Sequence, residues 1–431
     1  MTTPTAQHAV TKHHLPLGAI TRITCSANTS KIVLEDNGTL LLPLTVTSLD
    51  HSLFERRSIQ QIDLSAIPGL YIDEECFTCN TCLTELILNK HVYIGPNAFW
   101  HCDALTSVSF LGDPSLDTPD DFRPALIGSY AFAYCRALRV VIGLPDTVVL
   151  ESNAFFYCKE LSGSFRVGGS HQPHLPADIF FKTAITSLII APGTRSIGSH
   201  CCHSCTSLVY VDLSSSIENI HSEAFSECSK LPTITLGAEC TSVEAKAFYK
   251  CTSLHTVHTD KSNCEIHFGK AAFGHCSALT GFTIPFCTSQ LSSAMFSECA
   301  SLASIRGGEH LTHIASHCFS GCHNLAFIDT ECMSHLQCIS AYVFQGGNKI
   351  TSLNLMHTRL SHLDAHCFVG MSTLQSLSLP ATLVAGHPSM ITECTALTTL
   401  QIPHKPLSPF LTLLLPHLLY TAKHITVTTC N

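Results

Sequence analysis

A seventeen-residue template recurs down nearly the whole chain and leaves it few folds to adopt. Its clearest copy, IHSEAFSECSKLPTITL, runs from Ile220 to Leu236; the general form is I-x-x-x-A-F-x-x-C-x-x-L-x-x-V-x-L. Aligned on the Phe position, the copies fall at Phe54, Phe77, Phe99, Phe132, Phe155, Phe180, Cys202, Phe225, Phe248, Phe273, Phe296, Phe319, Phe344, Phe368 and Ile391. These are fifteen units, thirteen of them with Phe, spaced by 22 to 25 residues except for 33 between Phe99 and Phe132. A period in the range of roughly 20 to 50 residues means stacked supersecondary units, each burying its apolar face against the next.

Such a stack accounts for a composition that would otherwise be odd. Only 13% of the 431 residues are charged and the mean hydropathy is +0.25. Every coil supplies an inward apolar set, while Ser and Thr cover much of the outside. The formal net charge of −9 argues against a nucleic-acid backbone binder, which needs a basic stripe. The N-terminal sequence has no continuous apolar core of about 7–15 residues, so no signal peptide is expected. No stretch reaches the ~18 apolar residues of a membrane span. Asn28 and Asn37 match glycosylation acceptors, silent without secretion. A cytoplasmic location is the expectation, with the cell surface by an unrecognised route as the alternative.

Within a unit, L-x-x-V-x-L alternates as a strand does, and Pro often ends it, as in Leu144-Pro145 and Ile284-Pro285. The A-F-x-x-C segment is too short for an independent helix and is expected to make one helical or 3₁₀ turn. The fold class expected is therefore an α/β repeat solenoid: a right-handed curved stack of about fifteen coils with a parallel sheet and short helical returns. Ile32, Leu34, Leu40, Leu42, Leu44 and Val46 alternate around Asn37-Gly38, a hairpin signal, and residues 1–47 are expected as an N-terminal β cap. Residues 48–404 form the solenoid, interrupted by an acidic loop insertion at 112–124, and residues 405–431 form a C-terminal cap. The insertion holds Asp113, Asp117, Asp120 and Asp121, which lack the spacing of a known calcium loop.

The motif I-G-x-x-A-F-x-x-C-x-x-L resembles the leucine-rich repeat of BspA-like proteins, most closely at Ile94-Gly95…Ala98-Phe99…Cys102…Leu105 and Ile127-Gly128…Ala131-Phe132…Cys135…Leu138. That family occurs in bacterial surface proteins and is expanded in parasitic protists, the source this resemblance implies. It further implies a curved solenoid used for protein binding, often as an adhesin.

Ten of the 24 cysteines occupy one repeat position, from Cys102 to Cys394, and four more (Cys76, Cys201, Cys318, Cys367) take the Ala slot before Phe. Small buried thiols of the stack explain both sets. Ligand-like spacing also occurs at Cys79/Cys82, at Cys201-Cys202-His203/Cys205 and at Cys318/Cys322-His323, which keeps a Cys/His metal-binding protein open as an alternative. His200, His317 and His366 share the slot two before Phe, expected to be an exposed turn position. No nucleophile elbow, zinc-protease motif, dinucleotide fingerprint or P-loop is present, so no enzyme and no cofactor are expected.

Between V and L of each strand one residue points away from the core. Stacking makes it a column: Ile87, Ser109, Ile142, Phe165, Asp212, Thr235, His258, Thr283, Arg306, Asp329, Asn354, Ser378 and Gln401, flanked by Tyr210 and Phe327. Aromatic residues and Arg are enriched at binding hot spots. The expected partner-binding residues are Tyr210, Asp212, His258, Arg306, Phe327 and Asp329, for a protein or peptide.

Overall fold

The chain divides into two compact units, Met1–Ser214 and Ser215–Asn431. A computed structural model describes residues 9–16, 18–112, 124–259, 265–403 and 426–430. The acidic insertion with its four Asp residues and most of the expected C-terminal cap lie outside the described residues. Seven Phe-slot positions fall in the first unit and eight in the second, and each unit is a parallel-strand solenoid.

Every coil contributes two strands. In the first unit the longer ones, Gln61–Leu64, Glu85–Asn89, Ser107–Leu111 and Val140–Ile142, pair in parallel and in register, with Leu86 beside Ile62 and Val108. Arg22–Ser26 joins this sheet, bonded to Gln61–Leu64 on one side and to Thr39–Pro43 on the other. Val33–Leu34 closes the edge as an antiparallel partner of Thr39–Pro43. Gly38 (φ 82°) supplies the reversal, and the Asn37 side chain accepts the Thr39 N–H at 2.8 Å. A second group holds Ser164–Gly168, Ser187–Ala191 and Tyr210–Asp212. Two-residue strands such as Tyr71–Ile72, Tyr93–Ile94 and Leu126–Ile127 form a second parallel ladder just before each A-F segment.

The second unit repeats the scheme. Gly281–Ile284, Ser304–Gly307 and Phe327–Ile328 pair in parallel, as do Ser352–Asn354, Ser376–Ser378 and Thr399–Pro403, with Thr426–Cys430 as a last parallel partner. The short ladder runs through Gln290–Leu291, His313–Ile314, Cys338–Ile339 and His362–Leu363.

The helical returns expected from A-F-x-x-C do not form, which corrects the α/β class to an essentially all-β coil. Among the described residues helix is confined to short 3₁₀ pieces such as Lys12–His14 and Pro388–Ile391. The segment is instead a run of hydrogen-bonded turns. The N–H groups of Glu75, Phe77 and Cys79 donate to the carbonyls of Pro96, Ala98 and Trp100 in the next coil at 3.0, 2.8 and 2.8 Å. The intervening amides of Cys76, Thr78 and Asn80 close local turns onto Asp73, Glu75 and Phe77. A helix would turn all of these donors inward along its own axis, so the forward bonds exclude it.

This geometry needs a positive φ two residues before and two residues after the Phe. Glu75 (56°) and Cys79 (58°) provide it in one coil, Lys246 (56°) and Lys250 (58°) in another. For a residue with a Cβ the left-handed region costs on the order of 1 kcal/mol, offset in the Phe77 and Phe248 coils by three forward hydrogen bonds each.

The core is a column of phenyl rings. In the first unit Phe54, Phe77, Phe99, Phe132, Phe155 and Phe180 stack with successive centroids 5.0, 5.1, 5.2, 5.5 and 5.8 Å apart. In the second, Phe225 through Phe368 continue at 5.4 to 5.9 Å. All are buried, and each stacked pair adds about 0.5–1.5 kcal/mol beyond area burial.

The cysteine column lies beside the rings. The Cys102 thiol donates to the Phe77 carbonyl at 3.4 Å, Cys158 to Phe132 at 3.0 Å, and Cys251, Cys276 and Cys299 to Phe225, Phe248 and Phe273 at 3.1, 3.2 and 3.1 Å. Each thiol reaches the Phe carbonyl of the preceding coil, which its own chain serves with one long turn bond. Asn80 does the same in the Cys slot, donating to the carbonyls of Phe54 (2.7 Å) and Phe77 (2.8 Å).

Carboxylates clamp coils at the turn edge. Glu244 accepts from the Ser222 N–H at 2.9 Å, from its hydroxyl at 3.0 Å, and meets His221 Nδ1 at 2.8 Å. Glu151 holds Ser129 in the same way, at 2.9 and 3.0 Å.

Phe248 sits between two stacked neighbours with no exposed surface, so Phe248→Ala is expected to cost about 3–5 kcal/mol. Chemical denaturation of the variant checks this, and an unchanged midpoint would contradict the ring column.

Candidate binding surface

The outer face of the longer strands carries the residues expected to bind. In the first unit, Tyr210 and Asp212 lie two apart on one strand and both point outward, Tyr210 with 53% of its surface exposed. Register places Ser187 beside Tyr210 and Ile189 beside Asp212.

In the second unit the structure brings Arg306 and Phe327 together. Ser304 is the rung neighbour of Phe327, and the Arg306 guanidinium reaches diagonally to lie 5.2 Å from the Phe327 ring centroid. Phe327 is 45% exposed, so this cation–π contact is open to solvent. Asp329 follows on the same strand edge, half-buried, its N–H bonded to the Ile305 carbonyl at 3.0 Å. Its carboxylate accepts the Cys332 thiol at 3.3 Å, and that bond raises the thiol pKa. His258 is exposed on Thr256–Thr259, with Thr235 as its rung partner. That strand pairs with Thr233–Leu236 and lies in a different sheet from Arg306.

One member of the expected column points elsewhere and one is covered. Phe165 is only 4% exposed and packs on the Phe155 and Phe180 rings, 6.0 and 5.0 Å away. Register pairs it with the inward Leu188, leaving Arg166 and Ile189 as the outward residues. The cause is one extra residue: Ser162 bonds back to Arg139 and Gly163 (φ 102°) accepts from Thr186, so the strand starts one position late. Ser378 stays in the column, in register with Asn354 and Gln401, but is only 4% exposed, its hydroxyl donating to Gln401 Oε1 at 2.6 Å.

The slot two before Phe does lie on the turn edge. His317 and His366 both adopt positive φ and sandwich Tyr342, each ring 5.2 Å from it.

The cysteine clusters with ligand-like spacing are pulled apart by the template. Cys205 points inward to the Phe180 carbonyl (3.0 Å) and Thr183 (3.3 Å), while His203 turns outward to stack on Phe181 at 4.9 Å. Cys322 donates inward to Phe296 at 3.1 Å and His323 is exposed. Among the described residues no group of three or more His, Cys, Asp or Glu side chains gathers so as to hold a metal ion. Burial pushes the Cys251 and Cys299 thiols up to about 12 and also raises Cys276 well above the ordinary thiol value. Since the thiolate is the reactive form, these cysteines are expected to resist iodoacetamide in the native protein while the exposed Cys82 reacts. Peptide mapping after timed labelling checks this, and fast modification of Cys251 would contradict the inward column.

The comparisons agree with the repeat. The model of the BspA type leucine rich repeat region matches residues 35–117, 115–165, 174–303 and 289–408. No curated protein matches the chain. Among solved structures, a leucine-rich repeat protein from Bacteroides ovatus is similar over 96% of this chain and 92% of its own, at 17% identity and TM-score 0.51. A leucine rich cell surface protein from Faecalibacterium prausnitzii matches over 89% and 88%, at 22% identity and TM-score 0.38. A leucine-rich repeat protein from Eubacterium ventriosum matches over 85% of this chain and 93% of its own, at 15% identity and TM-score 0.42. The first likeness supports the fold, and with the family model covering most of the sequence, the chain belongs to the BspA-type leucine-rich repeat proteins.

Proposed function

We propose that this protein is a non-catalytic interaction scaffold that binds a protein or peptide on the outer face of its longer strands. The observation that carries the reading is the solvent-open pair of Arg306 and Phe327, held on adjacent strands with the guanidinium 5.2 Å from the ring. Leucine-rich repeat proteins generally bind protein partners. An exposed aromatic beside Arg is the side-chain combination that dominates binding energy at such contacts. Asp329 adds an acceptor at the edge of this pair, and His258 extends the face within the same unit. Tyr210 and Asp212 offer a second aromatic and carboxylate on the first unit.

The location proposed is the cytoplasm, supported by the thiol column: its cysteines bond one by one to backbone carbonyls and not to one another, and a cysteine-rich chain without disulfides is usual where thiols are kept reduced. No helix among the described residues is long and apolar enough to cross a membrane. A surface adhesin is the second reading, favoured by the exposed acceptor residues Asn28 and Asn37. Oxidised cysteines and occupied glycans in protein taken from its own cells would establish it.

Arg306→Ala combined with Phe327→Ala is expected to reduce partner capture by about tenfold or more, with the thermal midpoint unchanged. Crosslinking pull-downs from the native cell, quantified against wild type, read this out, and equal recovery of the same partners would refute the site.

A further inference from the structure

Away from the strand face, the turn edge of the first unit carries a strip of rings that the repeat does not require. Two short ladders run side by side. One joins His101 to Tyr134 (4.7 Å, 3° between planes) and Tyr134 to Tyr157 (5.4 Å). The other joins Phe156 to Phe181 (4.7 Å, 13°) and Phe181 to His203 (4.9 Å, 9°). Trp100 closes one end, edge-on to Tyr134 at 6.2 Å. All of these rings are half-buried.

Two features separate the strip from packing filler. His101, Tyr134 and Tyr157 sit two residues after the core Phe, where φ is 56°, 62° and 63°. The second unit fills that slot with Glu227, Lys250, His275, Glu298 and Glu393 or with Gly321, Gly346 and Gly370, so the backbone itself asks for no ring there. Lysines also line the rings: Lys159 Nζ lies 4.9 Å from the Tyr157 centroid, and Lys182 Nζ lies 5.1 Å from Tyr157 and 5.3 Å from Phe181.

The electrostatics select the partner. Phe181 has a ring stacked on each side, so its exposed part is the edge, and aromatic edges carry the positive end of the quadrupole. Ring edges and ammonium groups thus present one sign on a chain whose net charge is −9. The Asp103 carboxylate is held by His101 (3.4 Å) and Arg136 (3.8 Å), and the half-buried Asp178 faces His200 and His203, which leaves Glu160 as the exposed acid beside Lys159. We infer that the turn edge from Trp100 to His203 is a second interaction surface, distinct from the strand face, that takes an acidic polypeptide segment.

Trp100 is the sole tryptophan and reports directly on the strip. Poly-L-glutamate titrated into the full chain is expected to change Trp100 emission saturably, with affinity falling as salt rises. Lys159→Glu with Lys182→Glu should weaken it at least about tenfold, while the corresponding Arg pair keeps it. Should the double variant lose its cooperative melt, Lys159→Glu alone, which touches only Tyr157, carries the same test. Absence of saturable binding, or equal binding by the charge-reversed protein, overturns the proposal. Binding of heparin but not poly-L-glutamate overturns the assignment to a polypeptide.

Discussion

Everything in this molecule depends on the forward hydrogen bonds of the turn segment. In most coils three alternate amides, centred on the core Phe, donate to three carbonyls of the next coil. They set the turns in register, and the register in turn brings phenyl onto phenyl and thiol onto carbonyl. A turn merely draped over the sheet would leave the ring spacing free. Here it stays between 5.0 and 5.9 Å within each unit, close to the interstrand distance of a parallel sheet.

That constraint explains the sequence preferences of the template. Phe fills the column because a flat ring stacks at strand spacing and still spans the coil interior. Cysteine suits the neighbouring slot because it is small, apolar and carries a weak donor for a carbonyl that is otherwise served by one long turn bond. Asn80 and Thr183 take the slot with stronger donors: Asn80 bonds two Phe carbonyls, and the Thr183 hydroxyl reaches the Phe180 carbonyl at 2.9 Å. A cysteine-rich composition therefore follows from backbone satisfaction, with no metal or disulfide needed to account for it.

Much of the fold was legible in the residues because inward positions are constrained in every copy. Phe225, Cys228 and Leu231 recur at fixed offsets, and repetition turns a weak pattern into a strong one. The turn was misread because Ala, Phe and Cys at spacings of one and three suit a helical turn as well as a turn ladder. Left-handed backbone leaves no mark when Glu, Lys or Tyr occupies it; Gly321, Gly346 and Gly370 are the residues that announce it. The outward column slipped at Phe165 because one inserted residue at Gly163 flips a strand's faces. Arg306 and Phe327 were visible as types, but their diagonal contact needed the register. The ring strip was missed because its members sit on the turn edge, where the repeat fixes only the backbone.

Backbone amide exchange is the most direct measurement of this account. The amides of Phe77, Phe99, Phe248 and Phe273, which donate to the next coil at 2.8, 2.8, 2.9 and 3.0 Å, should exchange as slowly as those of the neighbouring strands. Exchange of these Phe amides on the timescale of surface loops, with the strands still protected, would show that the turns are not a ladder and that the register has another source.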